Sequence, residues 1–260
     1  MARKGRDTIL PAPFLKRVWL ERDKIVAKDD YPFCLPIFRE DFNLSFDKSI
    51  TIIVGENGTG KSTILEGIAA LAGYDEAGGG KGYMPVDHSR AVEAMGGRLS
   101  TALRAAWLPK VTRGWFFRAE SFFSVARYLD EAAQDEALAM GGYVPPPDFL
   151  SYSHGEVFLR FFQERCQHQG IFIFDEPESA LSPSRQVEFL KLLRAMDESK
   201  KSQVIMATHS PMLMAYPGAA LLRLTPEGLE PTTLEQTDHY RLMRDFTQDP
   251  HGFVESRLWE

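Results

Sequence analysis

A glycine-rich loop directly after a β-branched apolar run is the feature of this sequence that most constrains its fold. Residues 50–54 read Ile-Thr-Ile-Ile-Val, and residues 55–63 read Gly-Glu-Asn-Gly-Thr-Gly-Lys-Ser-Thr. The second segment has the form G-x-x-x-x-G-K-[ST] of a phosphate-binding loop. It predicts a buried strand, a loop whose N–H groups point inward, and a helix over residues 62–71 whose positive end faces the same point. Together these elements predict an oligophosphate site.

The residues of this loop are the predicted nucleotide-binding residues. We expect Lys61 to reach the β- and γ-phosphates as a point charge, and the Ser62 hydroxyl to ligate Mg²⁺. The full set is Gly55, Glu56, Asn57, Gly58, Thr59, Gly60, Lys61, Ser62 and Thr63. A chance match between a strand and a helix is the alternative, and it is disfavoured by a second motif further along the chain.

That second motif is an apolar run that ends in adjacent carboxylates. Residues 171–174 read Ile-Phe-Ile-Phe and precede Asp175, Glu176 and Pro177. A hydrolytic nucleoside triphosphatase needs one acid to hold Mg²⁺ and another to orient and activate water. We assign the metal role to Asp175 and the general-base role to Glu176. The alternative is a solvated strand end, which the phosphate-binding loop disfavours.

Several further positions resemble those of ABC-type ATPases. They are Asn57 in the loop, Ser179 in the Ser-Ala-Leu-Ser run after the acidic strand, and His209 after the predicted strand 203–207. The resemblance implies an α/β P-loop fold with a mostly parallel core sheet, a small antiparallel β subdomain and a helical lobe. It also implies that ATP and Mg²⁺ are the cofactors. His209 would contact the γ-phosphate and help to hold water, and Ser179 would lie in the D-loop.

Residues 152–156, Tyr-Ser-His-Gly-Glu, stand where ABC ATPases carry their L-S-G-G-Q signature and resemble it imperfectly. The serine and the second glycine are retained, and Glu156 opens an amphipathic pattern whose helix N-terminus can face phosphate. An ordinary N-capped turn is the alternative. The family implies an ATP-dependent head-to-tail homodimer. The signature residues act in trans: Ser153, His154, Gly155 and Glu156. Those acting in cis are Lys61, Ser62, Asp175, Glu176 and His209.

The glutamine that ABC ATPases usually place between the loop and the signature is not visible. We expect its equivalent in residues 114–120, an aromatic strand that ends Arg-Ala-Glu and precedes a predicted helix over 121–133. Arg118 and Glu120 are therefore the switch candidates. This arrangement resembles a group of compact bacterial proteins described only as predicted ATPases of the AAA or ABC kind, RecF-like in form. His88, His168, His239 and His251 show no metal-ligand spacing and receive no role.

Length and composition fit one compact domain over residues 1–260, which the resemblance implies is an ABC-type ATPase domain, and the cytoplasm is the expected location. The chain is 44% hydrophobic, carries 30 Lys+Arg against 36 Asp+Glu, and has a net charge of −6. That balance does not support a broad nucleic-acid-binding face, although a local basic patch stays open. Cys34 and Cys166 lack C-x-x-C spacing, which indicates a reducing compartment. No apolar run approaches the roughly 20 residues of a membrane span, and residues 1–6 lack the apolar run of a signal peptide.

The rest of the chain supplies the expected parts of this domain. Residues 1–77 are predicted to hold the β subdomain and the loop, 78–165 the helical lobe with the signature, and 166–260 the second half of the core. Within these ranges, alternation predicts strands over 14–20 and 42–46, and apolar spacing predicts a helix over 86–106. The adenine-contacting residue is left open among Tyr31, Phe38 and Arg39.

Two classes of function remain open at this stage. The first is a soluble ATPase that drives an unknown protein partner, with DNA maintenance or phage defence as candidate settings. The second is the ATP-binding subunit of a membrane ABC transporter. The altered signature and the absent glutamine favour the first class, because transporter subunits use that glutamine loop to meet the permease. A nucleotide switch with negligible turnover is a third reading, disfavoured by the presence of Glu176 and His209.

Overall fold

The computed structural model describes residues 10–39, 41–75, 78–81, 95–118 and 154–258. Two sheets organise them. In chain order the strands are β1 (Leu15–Leu20), β2 (Asn43–Ser45), β3 (Ile50–Val54), β4 (Leu103–Trp107), β5 (Gly114–Arg118), β6 (Gly170–Asp175), β7 (Ser202–Ala207), β8 (Ala220–Thr225) and β9 (Gly228–Pro231). None of the described helices is long and apolar enough to cross a bilayer.

The larger sheet has the strand order β5-β6-β7-β3-β8-β9. Its strand pairs are parallel except for the antiparallel pair β8–β9. The smaller sheet has the order β2-β1-β4 and is antiparallel. The predicted fold class, α/β with a mostly parallel core sheet and a small antiparallel sheet, is confirmed. How the chain divides into subdomains stays a prediction.

The helices are listed here in chain order. They are α1 (Lys61–Ala72), α2 (Met95–Ala102), α3 (His154–Arg165), α4 (Pro183–Ser199), α5 (Pro211–Met214), α6 (Asp238–Gln248) and α7 (Pro250–Arg257). Helix α4 shows how local sequence sets the bounds: the Ser182 hydroxyl accepts from the N–H of Arg185, and Lys200 ends the helix in the left-handed region at φ 54°. Serine at the N-cap followed by proline is a favoured helix start.

The prediction of a helix over residues 86–106 is wrong at the carboxyl end of that range. Helix α2 stops at Ala102, and residues 103–107 form strand β4, which pairs with β1. Pairing with an existing strand outweighs a helical apolar spacing over so few residues. The residues before α2 in this predicted helix, 86–94, lie outside the described part of the chain. Strands β4 and β5 fall within the range assigned to the helical lobe. Nevertheless, β4 belongs to the smaller sheet and β5 to the larger one.

Strand β6 is buried on both faces of the larger sheet, as a central parallel strand should be. Ile171 and Ile173 point into the core on the side of α1, whereas Phe172 and Phe174 point into the other. On this second side, phenylalanine rings pack edge to face, with the Phe174 and Phe189 centroids 5.1 Å apart. Such packing fixes β6, and with it the acidic residues that follow the strand.

One buried glutamine joins the two sheets. Gln203 of β7 is completely buried, and its Oε1 accepts hydrogen bonds from the N–H groups of Phe14 and Leu15, each at 2.8 Å. Its Nε2 donates to the Leu15 carbonyl at 2.9 Å. The small sheet is thereby held against the core sheet at the strand next to β3, since β7 and β3 are paired.

Candidate functional site

The carboxyl ends of the parallel strands converge at one edge of the larger sheet. Strand β3 runs into the glycine-rich loop, β5 ends at Arg118, β6 ends at Asp175, and β7 runs into Thr208 and His209. The register places Arg118 beside Asp175, and Asp175 beside Ala207. Ligands of open α/β sheets bind in the crevice outside the carboxyl ends of the strands. The residues predicted from separate motifs are therefore brought to one place.

The glycine-rich loop folds around the side chain of Lys61. Lys61 Nζ donates to the carbonyls of Gly55 and Glu56 at 2.8 and 2.9 Å, and the residue is only 4% exposed. Gly60 has φ 101°, which disfavours any other residue, and a Cβ there would lie 3.1 Å from Leu35 Cδ1. Burial lowers the pKa of Lys61, opposed by the nearby carboxylates of Glu176 and Asp175. The ammonium is thus held at the centre of the loop.

The predicted metal ligands contact each other. Ser62 Oγ donates to Asp175 Oδ1 at 3.1 Å, and Asp175 is 7% exposed. A hydroxyl and a carboxylate suit Mg²⁺, which takes few protein ligands and completes its shell with phosphate oxygens and water. The described residues include no group of three or more His, Cys, Asp or Glu side chains that could hold a metal by themselves. The donor set fits Mg²⁺ delivered with a nucleotide.

Arg118, one of the two switch candidates, lies beside Asp175. Its Nη1 is 2.7 Å from Glu66 Oε1, and its Nε is 3.9 Å from Asp175 Oδ2. Glu66 was not predicted from the sequence, although it stands four residues after Ser62 on α1 and so shares its face. Glu120, the other candidate, lies outside the described residues.

Glu176 and His209 face each other at the edge of the loop. His209 Nε2 lies 3.4 Å from Glu176 Oε1. Glu176 adopts a left-handed backbone, φ 49° and ψ 56°, which is uncommon for a residue other than glycine. Its N–H donates to the Ala207 carbonyl at 3.0 Å, and its carbonyl accepts from Ser179 Oγ at 2.6 Å. Ser179 of the predicted D-loop therefore supports the turn that carries Glu176.

Two further residues of the site carry no obvious motif. Glu178 accepts hydrogen bonds from the His209 N–H at 2.6 Å and from Thr208 Oγ1 at 2.7 Å. Desolvation by burial raises its pKa, despite these two hydrogen bonds. His239 Nε2 lies 2.7 Å from His209 Nδ1. His239, which received no role from the sequence, therefore contacts a predicted catalytic residue.

The Glu178→Gln substitution is expected to gain stability relative to the wild type as pH rises. A carboxyl group whose pKa is raised in the folded protein binds more protons there than when unfolded, so wild-type stability falls as pH increases above the ordinary value of 4.5. Glutamine cannot ionise, so the variant does not lose stability in this way as pH rises. Urea unfolding from pH 4.5 to 8 measures the difference, and a difference that does not change with pH would contradict the burial of a charged Glu178.

A cleft of about 240 Å³ opens beside the loop and is lined by Asn57, Lys61, Ser62, Glu176 and Tyr31, among others. Tyr31 Oη lies 2.5 Å from Thr63 Oγ1. Of the adenine candidates, Tyr31 lines this cleft, whereas Phe38 is buried in the core and Arg39 is exposed. Phe38 is thus a packing residue, and adenine contact by Tyr31 stays a prediction.

The signature segment is only partly described. Ser153 lies outside the described residues. His154, Gly155 and Glu156 form the first turn of α3, which begins two positions earlier than predicted. Helix α3 packs its later residues, Phe158 and Phe162 among them, into the aromatic core next to β6. Action of the signature in trans stays a prediction.

Two family models match parts of the sequence. One, described as "AAA domain, putative AbiEii toxin, Type IV TA system", matches residues 140–215, and a second, described as an AAA domain, matches residues 34–89. Each covers less than half of the chain, and they contain the acidic strand and the glycine-rich loop respectively. They support a P-loop ATPase of the AAA kind, and with it nucleotide binding. A search of curated proteins found no match.

Two solved structures are similar to this chain over most of its length. One is described as "an inward-facing conformation of a putative metal-chelate type ABC transporter"; it is 15% identical, with a TM-score of 0.48, over 89% of this chain and 88% of that one. The other is an SMC head domain from Thermotoga maritima, 15% identical, with a TM-score of 0.46, over 85% of this chain and 99% of that one. Both are too distant to assign a function.

Proposed function

We propose that this protein binds and hydrolyses ATP as an ABC-type ATPase. The observation that carries the proposal is the convergence of the glycine-rich loop, Asp175, Glu176 and His209 at one edge of the sheet, although they come from three separate stretches of sequence. Phosphoryl transfer to water requires a phosphate-binding loop, a nearby acidic residue that holds the metal, and a second residue that accepts the proton of the water.

In this proposal, each residue acts from the position that it already occupies. Lys61 would exchange its carbonyl partners for phosphate oxygens, which are stronger acceptors. Ser62 and Asp175 would hold Mg²⁺, which neutralises phosphate charge when bound. Glu176 would accept a proton from the attacking water, while His209 would keep its Nε2 beside that water and the γ-phosphate.

The complete site is proposed to need a second copy of the chain. One subunit would supply the loop and the acidic residues. Its partner would supply Ser153 and the start of α3, because a helix N-terminus favours a phosphate. The role of a further protein partner, in DNA maintenance, phage defence or transport, stays a prediction, as does the cytoplasmic location.

A mixing experiment tests the action in trans. Neither Ser153→Ala nor Glu176→Gln alone is expected to hydrolyse ATP at more than a small fraction of the wild-type rate. An equimolar mixture is expected to recover about a quarter of wild-type activity, because about half of the dimers are mixed and each has one intact site. Phosphate release measures the recovery. A mixture no more active than its components would contradict the shared site.

A further inference from the structure

The helix after the last strand brings a second histidine against His209. Helix α6 begins at Asp238 and is capped by Thr237, whose Oγ1 accepts from the Tyr240 N–H at 3.3 Å and donates to the Leu234 carbonyl at 2.7 Å. Thr237 is 2% exposed. This buried cap fixes the first turn of α6, and so places His239 Nε2 at 2.7 Å from His209 Nδ1.

The other ring nitrogen of His209 faces a carboxylate. Nε2 of His209 is buried, makes no hydrogen bond within the described part of the chain, and lies 3.4 Å from Glu176 Oε1. A lone pair on Nε2 would lie close to an anionic oxygen, which is repulsive, whereas an N–H there is attracted to it. The contact with Glu176 therefore favours a proton on Nε2.

The surroundings of His209 favour a ring that carries a single proton. Burial and the Lys61 ammonium lower the pKa of His209 against the opposing effect of Glu176, so the neutral imidazole is favoured. A neutral imidazole protonated on Nε2 has an acceptor at Nδ1. The short contact with His239 then requires His239 to be the donor, through its own Nε2–H.

We propose that His239 is a positioning residue that fixes the tautomer of His209. By donating to Nδ1, it keeps the His209 proton on Nε2, the nitrogen that faces Glu176. The effect of this tautomer on catalysis rests on the proposed function. An Nε2–H can donate to a γ-phosphate or to water, whereas a bare Nε2 would present a lone pair to anionic oxygens. Helix α6 thereby becomes part of the nucleotide site.

The tautomer can be read directly in the full chain without nucleotide. Nitrogen NMR of protein with ¹⁵N-labelled imidazoles distinguishes protonated from bare ring nitrogens, and a His209→Gln variant assigns the signal among the six histidines. Wild-type His209 is expected to be protonated on Nε2. In His239→Gln the side-chain amide can still donate, so this pattern should persist. In His239→Glu the carboxylate can only accept, so a proton should appear on Nδ1.

Turnover supplies the second readout. We expect His239→Glu to lower kcat for ATP hydrolysis roughly 10- to 100-fold, somewhat less than loss of a whole transition-state donor. His239→Gln should stay near the wild type. His251→Glu is the matched control, because it makes the same change at an exposed histidine of α7, and it should leave both readouts unchanged.

Two results would overturn the proposal: a wild-type His209 protonated on Nδ1 alone, or the same proton position in His239→Glu and His239→Gln. Circular dichroism checks that the variants are folded, and His239→Ala, which deletes the donor without adding charge, replaces His239→Glu if that variant is not. A His209 with the expected tautomer in a protein that does not hydrolyse ATP would refute the proposed function alone, so the two failures are distinguishable.

Discussion

Glu176→Gln is expected to lower kcat for ATP hydrolysis roughly 10²- to 10⁴-fold, the usual contribution of a general base. Glutamine retains the size of Glu176 but cannot accept the water proton. Lys61, Ser62 and Asp175 are untouched, so ATP affinity should persist. With hydrolysis blocked, the ATP-bound dimer should accumulate. Phosphate release and size-exclusion chromatography with saturating ATP and Mg²⁺ measure the two effects.

The matched control is Glu188→Gln, the same change at a glutamate of α4 whose contact is an ion pair with Arg185 at 2.7 Å. It should hydrolyse ATP like the wild type and should not accumulate as a dimer. If Glu176→Gln elutes only as a monomer with ATP, the two-subunit site is wrong. If its kcat equals that of the control, Glu176 is not the base.

Lys61→Ala is expected to weaken ATP binding about 100-fold or more. Hydrogen bonds to charged groups contribute about 1.5–3 kcal/mol each. Lys61 is proposed to reach two phosphates, and the loss of two such bonds corresponds to a rise in Kd of about 100-fold or more. Isothermal titration calorimetry with ATP and Mg²⁺ measures it. The variant is expected to fold, because Lys61 Nζ donates to backbone carbonyls of the loop itself, those of Gly55 and Glu56.

Lys48→Ala is the control for this substitution. Lys48 Nζ also donates to a backbone carbonyl, that of Ala219 at 3.0 Å, but at an exposed position outside the loop. Its ATP affinity should equal that of the wild type. Equal affinities for Lys61→Ala and Lys48→Ala would mean that phosphate binds elsewhere.

The parts of the site that local sequence encodes were predictable. The loop from Gly55 to Thr63, Asp175 and Glu176 each follow a short apolar strand, and parallel strands ending at one edge bring them together. The fold class followed from the same alternation of strands and helices. Ser62 and Asp175 lie 113 positions apart in sequence, yet their motifs predicted that both would act as metal ligands.

The contacts that sequence did not reveal are made by residues without a motif of their own. Glu178 looks like an exposed residue of a turn, yet its carboxylate accepts from the His209 N–H, 31 positions away. His239 has no spacing that marks it, because its partner lies on a different element. Strand β4 has the composition of a helix and becomes a strand only by pairing with β1. Such features depend on tertiary contacts that no local pattern encodes.

The most direct measurement of the central claim is a crystal structure of the wild-type protein with a nonhydrolysable ATP analogue and Mg²⁺. The claim predicts the γ-phosphate at Lys61 Nζ, the metal on Ser62 Oγ and Asp175, and a water between the γ-phosphate and Glu176. Triphosphate bound away from residues 61, 175 and 176 would contradict it.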